Sequence, residues 1–368
     1  MTIENVILTS DNCRYCLMCR HVCPVGHVTR KETLTPHGWG LVIASVRRGL
    51  LQWNPETVGV LYSCADCGTC RAHCVTDQPL PEAIAAARAE VAAQNLAPQV
   101  AYQVRSALET WGNPYQQKTP EATGGRGEVA LFVGDEAHYL WPSVVEAALQ
   151  LMEAVGVFPV LVGIGRNNGY LASSLGFPET AKTLQNATLD ELRSVGASRM
   201  LVLSPGDYFA FSQFASERLG NLWPEQIELL ELTEFLADQL RAGALRIHAT
   251  LFHGGAAYVD PTHTVRLPGR GAAPRYLLQN VLSGHHKELF WHQDRAHPVG
   301  NTALQFINPH IADHLTYARL DDLAASGANL GICEDPGTLS QLDRHASRFG
   351  VQVKGLYELL SENLDNSR

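Results

Sequence analysis

Eight of the nine cysteines fall between Cys13 and Cys74, in two runs with one spacing, and no other feature restricts the fold so tightly. Cys13, Cys16, Cys19 and Cys23 read C-x2-C-x2-C-x3-C with Pro24 next. Cys64, Cys67, Cys70 and Cys74 repeat the pattern with Val75 where a second proline is usual. Three thiolates on one tight turn can clasp three irons of a cubane, and thiolates are soft ligands that suit iron–sulfur clusters. The fourth cysteine of such a run ligates the other cluster. The spacing therefore predicts two [4Fe–4S] clusters with crossed ligands. Cluster I takes Cys13, Cys16, Cys19 and Cys74; cluster II takes Cys64, Cys67, Cys70 and Cys23. Structural zinc normally uses separated C-x2-C pairs, which two fourfold runs fit poorly.

The N-terminus has no basic start followed by an apolar run, so no secretory signal is expected. No stretch nears the ~18 apolar residues of a membrane-spanning helix. A cytoplasmic chain with reduced cysteines is the expectation. Net charge is −9, and residues 1–95 hold eight basic and eight acidic side chains, so the acidic excess lies in the rest. Such a body is a poor match for nucleic-acid phosphates.

The segment TPHGWGLVIASVRRGLLQWNPETV (35–58), between the cysteine runs, is expected as one helix with Trp39 and Trp53 in the core. An Ala-rich helix is predicted from Pro81 to Asn95 and another from Pro98 to Trp111. Residues 112–127, rich in Gly, Pro, Gln and Thr, read as a linker. Beyond it, short apolar runs alternate with amphipathic segments. VALFVG (129–134), VFPVLVG (157–163) and RMLVLS (199–204) have the composition of buried strands, and residues 142–156 have helical spacing ending on glycine. This alternation predicts α/β units with parallel sheets.

The second half repeats the first. At an offset of 131, LDELRSVGASRMLVLSPGD (189–207) lies over LDDLAASGANLGICEDPGT (320–338); at 124, LTEFLADQL (232–240) resembles LYELLSENL (356–364). Gapped repeats of this kind predict two tandem copies of one unit. The expected organisation is a mostly helical ferredoxin-like module over 1–111, a linker over 112–127, and α/β repeats over 128–243 and 244–368.

Taken together, the layout resembles the iron–sulfur subunits of glycolate oxidase, anaerobic glycerol-3-phosphate dehydrogenase and the lactate-utilisation oxidases, and subunits of heterodisulfide reductase, over nearly the whole chain. In those proteins each repeat carries a cysteine after the first strand, a Cys-Cys-Gly turn and a late Cys-Pro-x-Cys-like turn. Here Asp135 stands at the first place, Asn167 and Asn168 at the second, and Ser204-Pro205-Gly206-Asp207 at the third. The second repeat keeps Asp260, Pro261 and His263 around Thr262, which occupies the cysteine place, and Asp335-Pro336-Gly337-Thr338 replaces its late pair. The frame survives and the cysteines do not, so the family's disulfide chemistry is not carried over. Cys333 aligns with Val202 inside a strand and is expected to behave as a small buried hydrophobe.

Other residues invite weaker readings. Ten of the fifteen histidines lie beyond residue 245, among them His253, His263, His285, His286, His292 and His297. Imidazoles near Asp260 could bind a transition metal, which makes Asp260, His263 and His297 a candidate extra metal or ligand site. GIGRNNG (163–169) follows a strand but lacks the dinucleotide-binding spacing. Arg14, Arg20, His21 and His73 could donate hydrogen bonds to cluster sulfurs.

The resemblance implies an electron-transfer subunit. A flavoprotein partner holding FAD or FMN would oxidise a small organic substrate, and the clusters would pass electrons to an acceptor protein or quinone system. The chain would sit in the cytoplasm, or through its partners at the inner face of the membrane. Two alternatives stay open: a catalytic subunit with a site rebuilt from Asp135, Asp207 and His263, and a redox sensor or assembly protein.

Overall fold

The structure, a computed structural model, describes residues 13–120, 125–221, 223–250, 252 and 254–365; His253 lies outside them. Helices α1 (Met18–His21), α2 (Pro24–Thr29), α3 (Pro36–Arg47), α4 (Pro55–Leu61), α5 (Thr69–Ala72), α6 (Leu80–Ala93) and α7 (Gln99–Trp111) form the N-terminal part. Proline opens α2, α3 and α4, where its fixed φ suits a helix and its missing N–H costs nothing. The side chains of Cys23, Thr35 and Asn54 cap these three helices.

Residues 35–58 form two helices rather than the single one expected. α3 stops at Arg47, Gly49 takes a φ of 70°, and an Asn54–Thr57 capping box starts α4 afresh. Trp39 packs in the core with its indole N–H donating to Ser63 Oγ at 3.1 Å. Trp53 sits in the break, half-buried, its indole bonded to Glu90 at 3.0 Å.

Two four-stranded parallel sheets follow. The first joins β1 (Val129–Val133), β2 (Val160–Ile164), β3 (Arg199–Val202) and β4 (Glu228–Glu231) in the order β2-β1-β3-β4. The second joins β5 (Ala256–Tyr258), β6 (His286–Glu288), β7 (Leu330–Cys333) and β8 (Gln352–Gly355) in the order β6-β5-β7-β8. The two sequence offsets recur in space: β3 precedes β7 by 131 residues and β4 precedes β8 by 124. β2 starts at Val160 rather than Val157, because Pro159 has no N–H to give a ladder.

The first sheet carries α8 (Gly134–Tyr139), α9 (Ser143–Ala154), α10 (Tyr170–Ser174), α11 (Pro178–Val195), α12 (Pro205–Phe209), α13 (Ala215–Leu219) and α14 (Leu232–Arg241). The second carries α15 (Ala272–Val281), α16 (Leu304–Ile307), α17 (Pro309–Ala325), α18 (Pro336–Ala346) and α19 (Leu356–Ser361).

One apolar core runs through both sheets, with Leu131 and Leu201 of the first and Tyr258 and Ile332 of the second fully buried in it. Each such side chain contributes roughly 1.5–3 kcal/mol by leaving water. α9 packs on α19, and the Tyr357 hydroxyl donates to the Leu203 carbonyl at 2.7 Å. A second core joins the N-terminal helices to α10, α11 and α17 through Trp39, Leu61, Val91, Leu175 and Leu315. Cys333 ends β7 inside the shared core, fully buried. Among the described residues no helix is long and apolar enough to cross a membrane.

Candidate functional site

All nine cysteines are free thiols. Eight of them line two cavities beside the short helices α1 and α5. Cys13, Cys16, Cys19 and Cys74 line an open cleft of about 950 Å³, with exposed Tyr15, Met18 and Leu41 and buried Cys70 also in its walls. Cys23, Cys64, Cys67 and Cys70, all buried, line a smaller space of about 300 Å³ together with Trp39 and Asp66. The cleft thus draws Cys13, Cys16 and Cys19 from the first run and Cys70 and Cys74 from the second, and the smaller space draws Cys64, Cys67 and Cys70 from the second run and Cys23 from the first.

The electrostatics divide the same way. Burial, then the thiols of Cys13, Cys74 and Cys16, push Cys19 up to about 11. Burial pushes Cys70 well above its ordinary range, with Cys67, Cys64 and Cys23 adding to the effect and Cys19 coming last. Burial likewise raises Cys23, against an N–H from Gly26 and with Cys67 and Cys64 adding. Cys64 reaches about 12 through burial, which outweighs the Arg88 cation.

Backbone N–H groups already aim at the sulfurs. Tyr15 donates to Cys13, Gly26 to Cys23, Asp66 to Cys64 and Gln78 to Cys74, at 3.3–3.4 Å. These donors favour a thiolate over a thiol. A group of soft thiolates around a cavity suits an iron–sulfur body, whose irons spread the ligands apart. Among the described residues no three His, Cys, Asp or Glu side chains close on one point tightly enough to hold a single metal ion.

The second cysteine loop is held at the junction of all three parts of the chain. Asp66, between Cys64 and Cys67, accepts from Arg266 at 2.7 Å and from Arg218 at 3.4 Å. Burial alone would raise its carboxyl, but Arg218, Arg266 and Arg88 hold it far below the usual range. The Asp66 carbonyl accepts from the Tyr170 hydroxyl at 3.0 Å and from Arg266 at 2.6 Å. Arg88, on α6 and almost wholly buried, donates to the carbonyls of Leu61, Cys64 and Ser174.

A third cavity lies between the two repeats. The positions where cysteines were expected converge on it. Asp135, Asn167, Asn168, Ser204, Asp207 and Asp335 line it, and Thr262 reaches it by donating to Asn301 Oδ1 at 2.7 Å. These side chains are linked in pairs. Asn167 donates to Asp135 at 2.9 Å, Asn168 to Asp207 at 2.8 Å, and Asn301 to Asp335 at 3.3 Å. Ser204 and Asp335 are also the caps of α12 and α18. The rebuilt-site residues Asp135, Asp207 and His263 therefore share one space. Asp335, at the late turn of the second repeat, belongs to it too, and so does Asn301, which only the fold could reveal.

The other candidates have definite partners. Asp260 is fixed by Arg275, with contacts of 3.0 and 2.8 Å, and by the Gln293 N–H at 3.1 Å. His297 bonds the Val22 carbonyl at 3.1 Å and stacks on Trp291. Of that trio only His263 lines the inter-repeat cavity, so the three do not converge on one site. In GIGRNNG, Arg166 pairs with Glu191, and the two asparagines serve the cavity. Arg20 pairs with Glu32, and His73 bonds the Asp294 carbonyl.

The class that fold and site define is a helical eight-cysteine module carried on two tandem four-stranded parallel α/β units. No protein-family model matches the chain. Particular proteins stand beside it at a distance. The chain is 22% identical over 327 residues to one of the subunits of the dihydromethanophenazine:CoB–CoM heterodisulfide reductase of Methanosarcina barkeri, covering 83% of this chain and 78% of that one. It is 25% identical over 244 residues to lactate utilization protein A of an Exiguobacterium species, covering 64% of this chain and 98% of the relative. A crystal structure of a hypothetical protein from Helicobacter pylori is similar in fold, with a TM-score of 0.60 at 12% identity over 90% of this chain and 68% of the other.

Proposed function

We propose that this chain is an iron–sulfur electron carrier within a multi-subunit oxidoreductase. The observation that carries the reading is the gathering of eight thiols around two neighbouring cavities, with Cys74 of the second run in the first and Cys23 of the first run in the second. Cluster I is held by Cys13, Cys16, Cys19 and Cys74, and cluster II by Cys64, Cys67, Cys70 and Cys23. Each cluster, when bound, supplies one-electron storage. The protein sets position and polarity, as it does for any redox cofactor.

The two cavities differ in a way that gives the carrier direction. Cys16 is exposed and the first cleft is open, with Tyr15, Met18 and Leu41 around it; the second is buried against both repeats. Cys70 lies in the walls of both. The open cleft faces the redox partner, a flavoprotein acting on a small organic substrate, and the downstream acceptor is a protein or quinone system. The similarity to a heterodisulfide reductase subunit and to a lactate utilization protein supports a redox setting. The chain divides into a ferredoxin-like module over 1–111, a linker over 112–127, and repeats over 128–243 and 244–368. It works in the cytoplasm or, through partners, at the inner membrane face.

Serine substitution tests the crossed ligation in the full chain, purified without oxygen. Cys74→Ser alters the paramagnetic signal of one reduced cluster and Cys23→Ser that of the other. Loss of the same signal in Cys74→Ser as in Cys19→Ser, with Cys23→Ser resembling Cys64→Ser, is the expected pattern. Pairing of Cys74→Ser with Cys64→Ser would contradict it.

A further inference from the structure

The inter-repeat cavity is acidic. Asp135, Glu136, Asp207 and Asp335 line it, and among the described residues neither Lys nor Arg does. Asp135 and Asp335 are almost completely buried. Their hydrogen bonds come from amides, a hydroxyl and backbone N–H groups, all neutral donors. Glu136 lies against the N-terminus of α18, where a Cβ on Gly337 would overlap its carboxylate. That helix end favours negative charge and offsets part of it. With no counter-charge, burial raises the carboxyls of Asp135, Asp207, Asp335 and Glu136, a cost that an entering cation would relieve.

A second observation points to a ligand. His263 lines the same cavity, is 8% exposed, and its Nδ1 is buried with no hydrogen-bond partner. The ring stacks on Phe209 at 5.5 Å and meets Tyr170 edge-on at 4.7 Å, so packing fixes its orientation. Burial, with Arg266 and Arg218 nearby, keeps it neutral and able to accept an N–H. Tyr115 and Phe306 add aromatic surface to the walls. Carboxylates, a neutral imidazole and aromatic surface are together the recognition set for an ammonium group.

We propose that the cavity between the repeats binds a small organic amine, with its ammonium among Asp135, Asp207 and Asp335 and its N–H or carbon body against His263, Tyr115 and Phe306. The site abuts the second cysteine loop: Thr302 and Tyr170 line the cavity and donate to the carbonyls of Ala65 and Asp66. The proposal does not rest on cluster ligation, because binding is measured independently of redox state.

Calorimetry on the purified full chain tests it at millimolar ethanolamine, putrescine and spermidine, with 1,4-butanediol and succinate as neutral and anionic controls and magnesium chloride as a metal arm. At least one amine is expected to bind while the diol and the diacid do not. Asp207→Asn and Asp335→Asn should each weaken that binding about tenfold, the loss expected for one charge-assisted contact. His263→Gln, which keeps a polar group but changes its reach, should weaken it as well. Melting curves of the three variants identify any that fail to fold, and the remaining ones decide. No binding by any of the amines, equal binding by folded variants, or displacement of the amine by magnesium at the same site would overturn the proposal.

Discussion

Asp66 shows how one side chain can fix a cysteine loop. It is ordinary in sequence, one of two residues between Cys64 and Cys67, yet its carboxylate and carbonyl gather Arg218, Arg266 and Tyr170 from both repeats. Asp66→Asn keeps the shape and removes the charge, leaving buried Arg218 and Arg266 without their counter-ion. Breaking a buried pair costs about 3–5 kcal/mol, so the melting temperature of the full chain should fall sharply. Gly68 is constrained in the same loop, with a φ of 87° and an added Cβ 2.8 Å from Arg266 Cγ. Gly68→Ala should destabilise by about 1–3 kcal/mol in urea unfolding, and an unchanged midpoint would count against the close approach.

The cavity carboxylates make a pH prediction of definite sign. Burial raises Asp207 to about 7 and Asp135 to about 6, hydrogen bonds from Asn168 and Asn167 notwithstanding. A folded-state pKa above the unfolded value means that stability is full below pH ~4 and is lost as pH rises through the folded value. Between pH ~4 and about 7 Asp207 therefore makes the chain less stable as pH rises, and the effect levels off above that. Asp207→Asn should flatten the fall in melting temperature across that window. A slope unchanged by the substitution would show that the carboxyl titrates normally.

At the scale of elements, the repeat was legible and the junctions were not. Offsets of 131 and 124 in sequence placed β3 over β7 and β4 over β8, because strand–turn–helix units keep their spacing when loops between them change length. Residues 35–58 form two helices because Gly49 and the Asn54-Pro55 start divide a segment that is otherwise continuously apolar enough for one. The cavity was legible only in pieces. Asp135, Asn167, Asn168, Ser204 and Asp207 were visible as substitutions at related turns, but Asn301 carries no local signal and reaches Asp335 only through the fold. The trio Asp260, His263 and His297 failed for a related reason, since sequence proximity to one aspartate cannot reveal that Arg275 already holds it.

Packing between elements predicts its own outcome. Leu151 of α9 is fully buried in the core shared by the two sheets. Leu151→Ala should cost about 2–5 kcal/mol by lost burial and the cavity it leaves. If the repeats fold as one unit, both sheets should melt together in the variant, at a lower urea concentration than in the parent chain.

For the whole molecule, the parts form a gradient of exposure. An open cleft lined by thiols leads through Cys70 to a buried four-thiol space, and that space abuts a polar cavity between two repeats. The arrangement puts solvent contact at one end and a sequestered polar cavity at the other. Its central claim concerns the thiols. Iron and acid-labile sulfide measured per chain, on full-length protein purified without oxygen, test it most directly. The account predicts about eight of each, as two cubanes require, and no zinc. Stoichiometric zinc, or about four irons with all eight cysteines intact, would contradict it.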